Sequence, residues 1–305
     1  MSSRIRILMM LAAAVHSSAA AICYAGDAAD ESVRMQPDVV YGHKLGLAMT
    51  MDVVTPVKES NRGAVLFMVS GGWYSSWAPP EKMQPFYRSL TDHGFTVFLV
   101  RHGSSPRFSI PEAVSDVRRA VRFVRLNAER FQIDSDRIGV YGMSAGGHLS
   151  LVLGTTADSG TPSESDPVEA VSDRVQAVVA FVAPTDLTIM VRGAADRLPA
   201  YDRFPALDLE MAEAEKISPL KHVSPDDAPT LLLAGDRDDL VPIDHSRKIH
   251  EALKGQNVTT ELVEFPGAGH GFNADQMRQA QEKMVQWFRK NLIDNTSEDR
   301  TSVQK

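Results

Sequence analysis

Gly142-Met143-Ser144-Ala145-Gly146 sets a serine between two glycines in the spacing G-x-S-x-G. It follows the apolar run Ile138–Tyr141 and opens a small-residue stretch, Ala145–Gly154. That context predicts a sharp strand-to-helix turn. Glycines let such a turn close, so the Ser144 hydroxyl is expected to point into a cleft as a nucleophile. The start of the following helix adds positive potential where negative charge would develop. A serine hydroxyl attacks a carbonyl only when a base removes its proton. That base is expected to be a histidine held by a carboxylate, in the chain order Ser, Asp, His.

Nine histidines are present. His270 lies in the glycine-rich stretch Pro266-Gly-Ala-Gly-His-Gly271, just after an apolar run, where a loop can turn in tightly toward the serine. His148 is four residues past Ser144, so its side chain is expected to lie along the helix and pack. The carboxylate is expected in Gly235-Asp236-Arg237-Asp238-Asp239-Leu240-Val241-Pro242, and residue chemistry alone leaves Asp236, Asp238 and Asp239 open. A calcium loop is excluded there, because alternate carboxylates stop at Leu240 and no glycine follows at the sharp turn. Oxyanion donors are expected from Ser70-Gly71-Gly72-Trp73: the amides of Gly71 and Gly72, joined by that of Ala145. Each such donor is worth roughly 2.7–4 kcal/mol to a transition state.

Positioning these groups requires a scaffold. Apolar runs recur at Ala64–Val69, Phe95–Val100, Arg137–Tyr141, Val175–Val182, Thr230–Ala234 and Val258–Phe265. Most are uninterrupted, and continuous runs of this length fit strands buried on both faces. Val39–Tyr41 and Leu47–Val54 are expected to form an antiparallel hairpin around Gly46. Helical stretches fall between the runs: Pro111–Phe131, Ser144–Thr156, Asp244–Lys254 and Ala274–Leu292. The first starts with proline and carries Ala113, Val117, Ala120, Val121, Val124 and Ala128 on one stripe. Alternating strands and helices predict an α/β domain with a mostly parallel central sheet. Residues 184–223 break the alternation, with Pro199, Pro205 and Pro219, and are expected to form a small helical cap insertion over a pocket.

The chain has 305 residues, 43% hydrophobic and 23% charged, which fits a soluble globular protein rather than a disordered or multi-span one. A net charge of −7 does not suit nucleic-acid binding, which needs a basic footprint. The single cysteine, Cys23, excludes a disulfide framework or a cysteine metal cluster. No zinc-protease helix motif, Walker loop or dinucleotide fingerprint occurs, so no metal or cofactor is implied. Residues 1–25 read as a signal peptide: Arg4 and Arg6, the apolar Ile7–Val15, then Cys23-Tyr-Ala25 before Gly26. The apolar part is too short to span a bilayer. Export to the periplasm or outside the cell is therefore expected. Residues 26–38 are expected to be flexible, 39–292 to form the domain, and 293–305 to be a disordered tail.

These motifs resemble the α/β-hydrolase superfamily over about residues 39–292. Within it, the chain resembles the carboxylesterase branch of hormone-sensitive-lipase-like, acetylxylan and feruloyl esterases and kynurenine formamidases. The matching pieces are Tyr41-Gly, Asp52-Val-Val-Thr-Pro56, Ser70-Gly-Gly-Trp73, Pro111-Glu-Ala-Val-x-Asp116, Gly142-Met-Ser-Ala-Gly-Gly-His148, Pro229-Thr-Leu-Leu-Leu, Gly235-Asp-x-Asp238-x-x-Val-Pro242 and Gly269-His270-Gly-Phe272. The resemblance implies the triad Ser144, Asp238 and His270, and a small-molecule or polymer-derived ester as substrate. It also exposes a departure: these esterases usually carry His-Gly-Gly-Gly-Trp where this chain has Val69-Ser70-Gly71-Gly72-Trp73. A one-residue shift of register makes the donors Gly72 and Trp73, and Gly72 survives both alignments. Two rivals remain at this level. A prolyl-oligopeptidase-like peptidase has a similar catalytic domain but usually carries a large domain before it, whereas about a dozen residues precede the first expected strand here. A non-catalytic binding module would not need all three triad positions filled.

Overall fold

The six apolar runs become the strands of the parallel part of one eight-stranded sheet in the computed structural model, which describes residues 31–162 and 165–294; the last of them, Val258–Phe265, forms an edge strand and is only half-buried. The expected signal segment 1–25 lies outside the described residues, as does the expected tail beyond Asp294. The strands are β1 (Val33–Lys44), β2 (Leu47–Pro56), β3 (Ala64–Val69), β4 (Thr96–Arg101), β5 (Ile138–Met143), β6 (Ala177–Phe181), β7 (Thr230–Gly235) and β8 (Thr260–Phe265). Their spatial order is β1-β2-β4-β3-β5-β6-β7-β8. Only the β1–β2 and β2–β4 pairs are antiparallel; the rest of the sheet is parallel.

Alternation along each strand feeds two apolar layers. Ala64, Leu66 and Met68 of β3 join Phe98, Val140, Ala180 and Leu232 on one face. Val65 and Phe67 join Val97, Tyr141, Val179 and Leu233 on the other. The first face is covered by α2 (Ile110–Leu126), α3 (Ala145–Thr155) and α5 (Asp244–Gly255), the second by α1 (Gln84–Thr91) and α6 (Ala274–Phe288). Helix α2 begins at a full capping box, with the Ser109 hydroxyl accepting from the Glu112 amide and the Glu112 carboxylate accepting from Ser109 N–H. Two of its arginines bind the polar loop that follows α3: Arg119 pairs with Asp166 and Glu169 at 2.7 Å each, and the buried Arg122 with Glu169 at 2.5 Å.

One expectation moves, and one helix, α1, has no counterpart among the expected ones. Residues 33–38, expected to be flexible, form the outer half of β1, paired from Val33 with Pro56. This is an edge strand with mostly exposed side chains, broken by a bulge between Gln36 and Val39, so it lacks the apolar run that marks the inner strands. Helix α1 carries only Tyr87, Leu90 and Thr91 inward. The hairpin around Gly46 is present, with Leu45 and Gly46 both at positive φ as a two-residue turn requires.

The insertion between β6 and β7 has one short helix, α4 (Met211–Lys216), and four 3-10 turns. Three of those turns start at Pro199, Pro205 and Pro219. Proline suits the first position of a turn but cannot continue a helix, so the segment stays broken. Its Leu187, Met190, Val191, Tyr201, Leu207 and Ile217 are buried in the same layer as α2 and α3.

Candidate active site

Every candidate group lies just past the carboxyl end of a parallel strand. Ser144 follows β5, Asp238 comes three residues after β7, and His270 five residues after β8. The Ser70–Trp73 loop follows β3. Parallel pairing brings all four to one edge of the sheet, where open α/β sheets bind ligands.

Ser144 has φ 52° and ψ −119°, a conformation an L-residue adopts only under constraint. The constraint is visible in its neighbours. A Cβ on Gly142 would stand 2.3 Å from the Gly146 carbonyl carbon, and one on Gly146 would stand 2.5 Å from the Met68 oxygen. The turn therefore closes only with glycine at both positions, against β3 as well as against itself. Ser144 N–H donates to Phe181 O at 2.8 Å, which fixes the turn to β6.

The Ser144 hydroxyl donates to His270 Nε2 at 2.9 Å, and His270 Nδ1–H donates to Asp238 Oδ2 at 2.8 Å. A carboxylate only accepts, so Nδ1 carries the proton and Nε2 is left free to take one. Asp238 Oδ1 accepts from both Leu240 N–H and Val241 N–H at 2.9 Å. The carboxylate is 1% exposed, so each oxygen is fully committed. Its two neighbours differ. Asp236 is exposed and its Oδ1 accepts from Gly267 N–H at 2.6 Å, tying the His270 loop to β7. Asp239 is exposed. Geometry thus ranks three aspartates that residue chemistry left level. The His270 loop also packs where only glycine fits: a Cβ on Gly235 would stand 2.3 Å from Ala268 O.

In the oxyanion loop, Gly71 and Tyr74 exchange both backbone bonds, Gly71 N–H to Tyr74 O at 2.9 Å and Tyr74 N–H to Gly71 O at 3.0 Å. The Gly71 amide is therefore spent, and the expectation that it is a donor is corrected. Between them Gly72 (φ 57°) and Trp73 (φ 58°) form a tight turn of the primed kind. Their two amides have no partner among the described residues. Ala145 is the first residue of α3, so its amide stands outside the helical ladder. Of the two alignments, the shifted one, Gly72 and Trp73 with Ala145, is the one whose amides are all left without a backbone partner among the described residues. The loop is held from behind: Ser105 N–H donates to Trp73 O at 3.1 Å, and Ser75 N–H to Ser104 Oγ at 2.9 Å.

Gly72, Trp73 and Ser144 line a small, partly open apolar pocket with Met190, Tyr201, Phe204 and Leu240. The insertion supplies its roof, and Phe204 packs directly on Gly72, where a Cβ would come within 2.7 Å of the ring. Burial, aided by the nearby Asp238 carboxylate, pushes the Tyr201 phenol up to about 12, so it stays protonated. These cap residues were not singled out from the sequence, where only the prolines marked the segment. Of the loop aromatics, Trp73 is in the cavity wall, whereas Tyr74 and Trp77 are 58% and 60% exposed and outside it. The His148 side chain is fully buried and bonds to Trp73 and to Ile217 O rather than to Ser144 or His270. Among the described residues no group of three or more His, Cys, Asp or Glu side chains is placed to hold a metal ion.

Strand order and the sharp turn at Ser144 are those of an α/β-hydrolase fold. More narrowly, the chain belongs to the BD-FAE family, whose model matches residues 51–253. A model described as TAP-like protein matches residues 210–300. The chain is 28% identical over 245 residues to the probable carboxylic ester hydrolase LipM of Mycobacterium tuberculosis, covering 77% of this chain and 56% of that one. It is 27% identical over 216 residues to the esterase LipQ of the same organism, covering 70% and 51%. It thus spans about half the length of these curated relatives. A truncated carbohydrate esterase from gut microbiota superposes with a TM-score of 0.71 over 85% of this chain and 98% of that one, at 24% identity, which shows the shared fold.

Proposed function

We propose that this protein hydrolyses carboxylic esters through an acyl-enzyme on Ser144. The observation that carries the reading is the unbroken path Ser144 Oγ, His270 Nε2, His270 Nδ1, Asp238 Oδ2, with links of 2.9 and 2.8 Å. Ser144 Oγ attacks the ester carbonyl carbon as His270 Nε2 takes its proton. Asp238 keeps the proton on Nδ1 and stabilises the imidazolium. The carbonyl oxygen, now negative, is received by the amides of Gly72, Trp73 and Ala145. Collapse of the tetrahedral intermediate breaks the C–O bond, and His270 protonates the leaving alcohol. Water then attacks the acyl carbon, giving its proton to His270, and the acid departs from a regenerated Ser144.

The small apolar cavity under Met190, Tyr201 and Phe204 fits a short acyl group better than a long one. Esterase names among the relatives favour the same chemistry. The test is a panel of p-nitrophenyl acetate, butyrate and octanoate with a feruloyl ester, run on the wild type and on Ser144→Ala. Turnover of the short esters that vanishes in Ser144→Ala is expected; full activity in that variant places the nucleophile elsewhere. Residues 1–25 carry the pattern of a cleaved export signal, and we propose that the protein acts outside the cytoplasm. N-terminal sequencing of protein recovered outside the cytoplasm is expected to begin near Gly26, and a start at Met1 contradicts this.

A further inference from the structure

We infer that His148 is a positioning residue for the oxyanion loop, holding Trp73 against the nucleophile helix so that the Gly72 and Trp73 amides stay aimed at the reacting carbonyl. This rests on the ester-hydrolase reading above and names a part of that machinery outside the triad.

His148 sits one turn past Ser144 on α3, with its side chain wholly buried. The Trp73 indole Nε1–H donates to His148 Nδ1 at 3.2 Å. An indole nitrogen can only donate, so Nδ1 must present its lone pair and the proton lies on Nε2. That Nε2–H donates to Ile217 O at 2.7 Å. The two rings also meet edge to face, with centroids 5.5 Å apart at 77°. One neutral imidazole thus joins three segments: the oxyanion loop, the nucleophile helix and the end of the cap helix α4. Burial favours this neutral form, drawing the group down to about 4.

The loop needs such a tie. Trp73 is held at φ 58°, a region that a bulky non-glycine residue avoids, and strained backbone persists only where its surroundings over-determine it. The Gly71–Tyr74 bonds close the turn, and the Ser105 amide holds the Trp73 carbonyl. Neither fixes the direction of the indole, and the Trp73 side chain is 97% removed from solvent against α3. The bond to His148 supplies that direction. With both of its nitrogens engaged, His148 has no proton to exchange with substrate, so its effect on the reaction passes through Trp73 alone.

The experiment compares His148→Phe, His148→Asn, Trp73→Phe and the double variant His148→Phe/Trp73→Phe. For each, kcat and KM for p-nitrophenyl acetate are measured separately, with the affinity for n-butylboronic acid, whose tetrahedral serine adduct places an oxygen among the oxyanion donors. His148→Phe and Trp73→Phe are each expected to lower kcat about tenfold, to change KM by less than about twofold, and to weaken the boronic acid about as much as kcat. His148→Asn, which again offers an acceptor near Nδ1, is expected to recover most of the loss. The double variant is expected to lose no more than the worse single one. A folded His148→Phe with wild-type kcat and boronic acid affinity overturns the assignment, as do single losses that multiply in the double. If His148→Phe does not fold, Trp73→Phe decides on the same two readouts. A wild type inert toward the ester overturns the ester-hydrolase reading and this assignment together, whereas an active wild type with unaffected variants overturns this assignment only.

Discussion

Replacing Asp238 by asparagine tests the triad at its most constrained point. In the native site Oδ1 accepts two backbone amides, from Leu240 and Val241, while Oδ2 accepts His270 Nδ1–H. Asparagine has one acceptor oxygen and one donor nitrogen. If the oxygen stays on the two amides, the NH2 faces His270 and forces the proton onto Nε2, where it blocks acceptance from Ser144. Rotating the amide by half a turn would set the NH2 against two N–H groups, losing both bonds at about 1 kcal/mol each and leaving buried donors unpaired. The wrong tautomer is therefore the cheaper state. Loss of the correct tautomer costs about 10⁴ in kcat in the serine-protease template, so Asp238→Asn is expected to lower p-nitrophenyl acetate kcat by about that factor. Asp239→Asn, at an exposed position, is expected to stay within about twofold of wild type. An Asp238→Asn variant within about tenfold of wild-type kcat refutes the reasoning.

Other outcomes follow from the same geometry. Gly146→Ala pushes a methyl to 2.5 Å from the Met68 carbonyl and is expected to cost about 1–3 kcal/mol, read as a lowered urea midpoint; an unchanged midpoint means the elbow is not packed this tightly. His148 and His245, both drawn down to about 4 by burial, take up protons when unfolded, near pH 6.5, before they do so when folded. Stability is therefore expected to fall as pH drops from about 6.5 to 4, by up to about 3 kcal/mol for each residue. Urea titrations across that window measure this, and a flat profile contradicts it. Phe204→Ala removes the ring lying on Gly72 and is expected to raise the octanoate-to-acetate ratio of kcat/KM by about tenfold; an unchanged ratio removes Phe204 from the acyl site.

How much of this was legible in the sequence follows from what kind of force placed each part. Strand β3 is buried on both faces, so its residues are apolar without interruption, and Ala64–Val69 is the same six residues in sequence and structure. The elbow was legible because its strain demands glycine at 142 and 146. The packing of His148 was expected from its place along the helix, but its partners were not, because Trp73 and Ile217 are 75 and 69 residues away in the chain. The outer part of β1 was hidden because an exposed, bulged edge carries no apolar period. Asp238 could not be separated from Asp236 by residue type, since the difference lies in which loop amides each carboxylate meets. The donor register was likewise a backbone matter: only the paired bonds of Gly71 and Tyr74 reveal which amides stay free.

One labelling measurement bears on the central claim most directly. The purified protein is treated with a fluorophosphonate, digested, and the modified peptide sequenced by mass spectrometry, with loss of ester turnover followed in parallel. A single adduct on the Ser144 hydroxyl, formed in step with inactivation and absent after His270→Ala, is the predicted result. Complete inactivation with the adduct on another residue, or undiminished turnover after Ser144 is fully modified, contradicts the account.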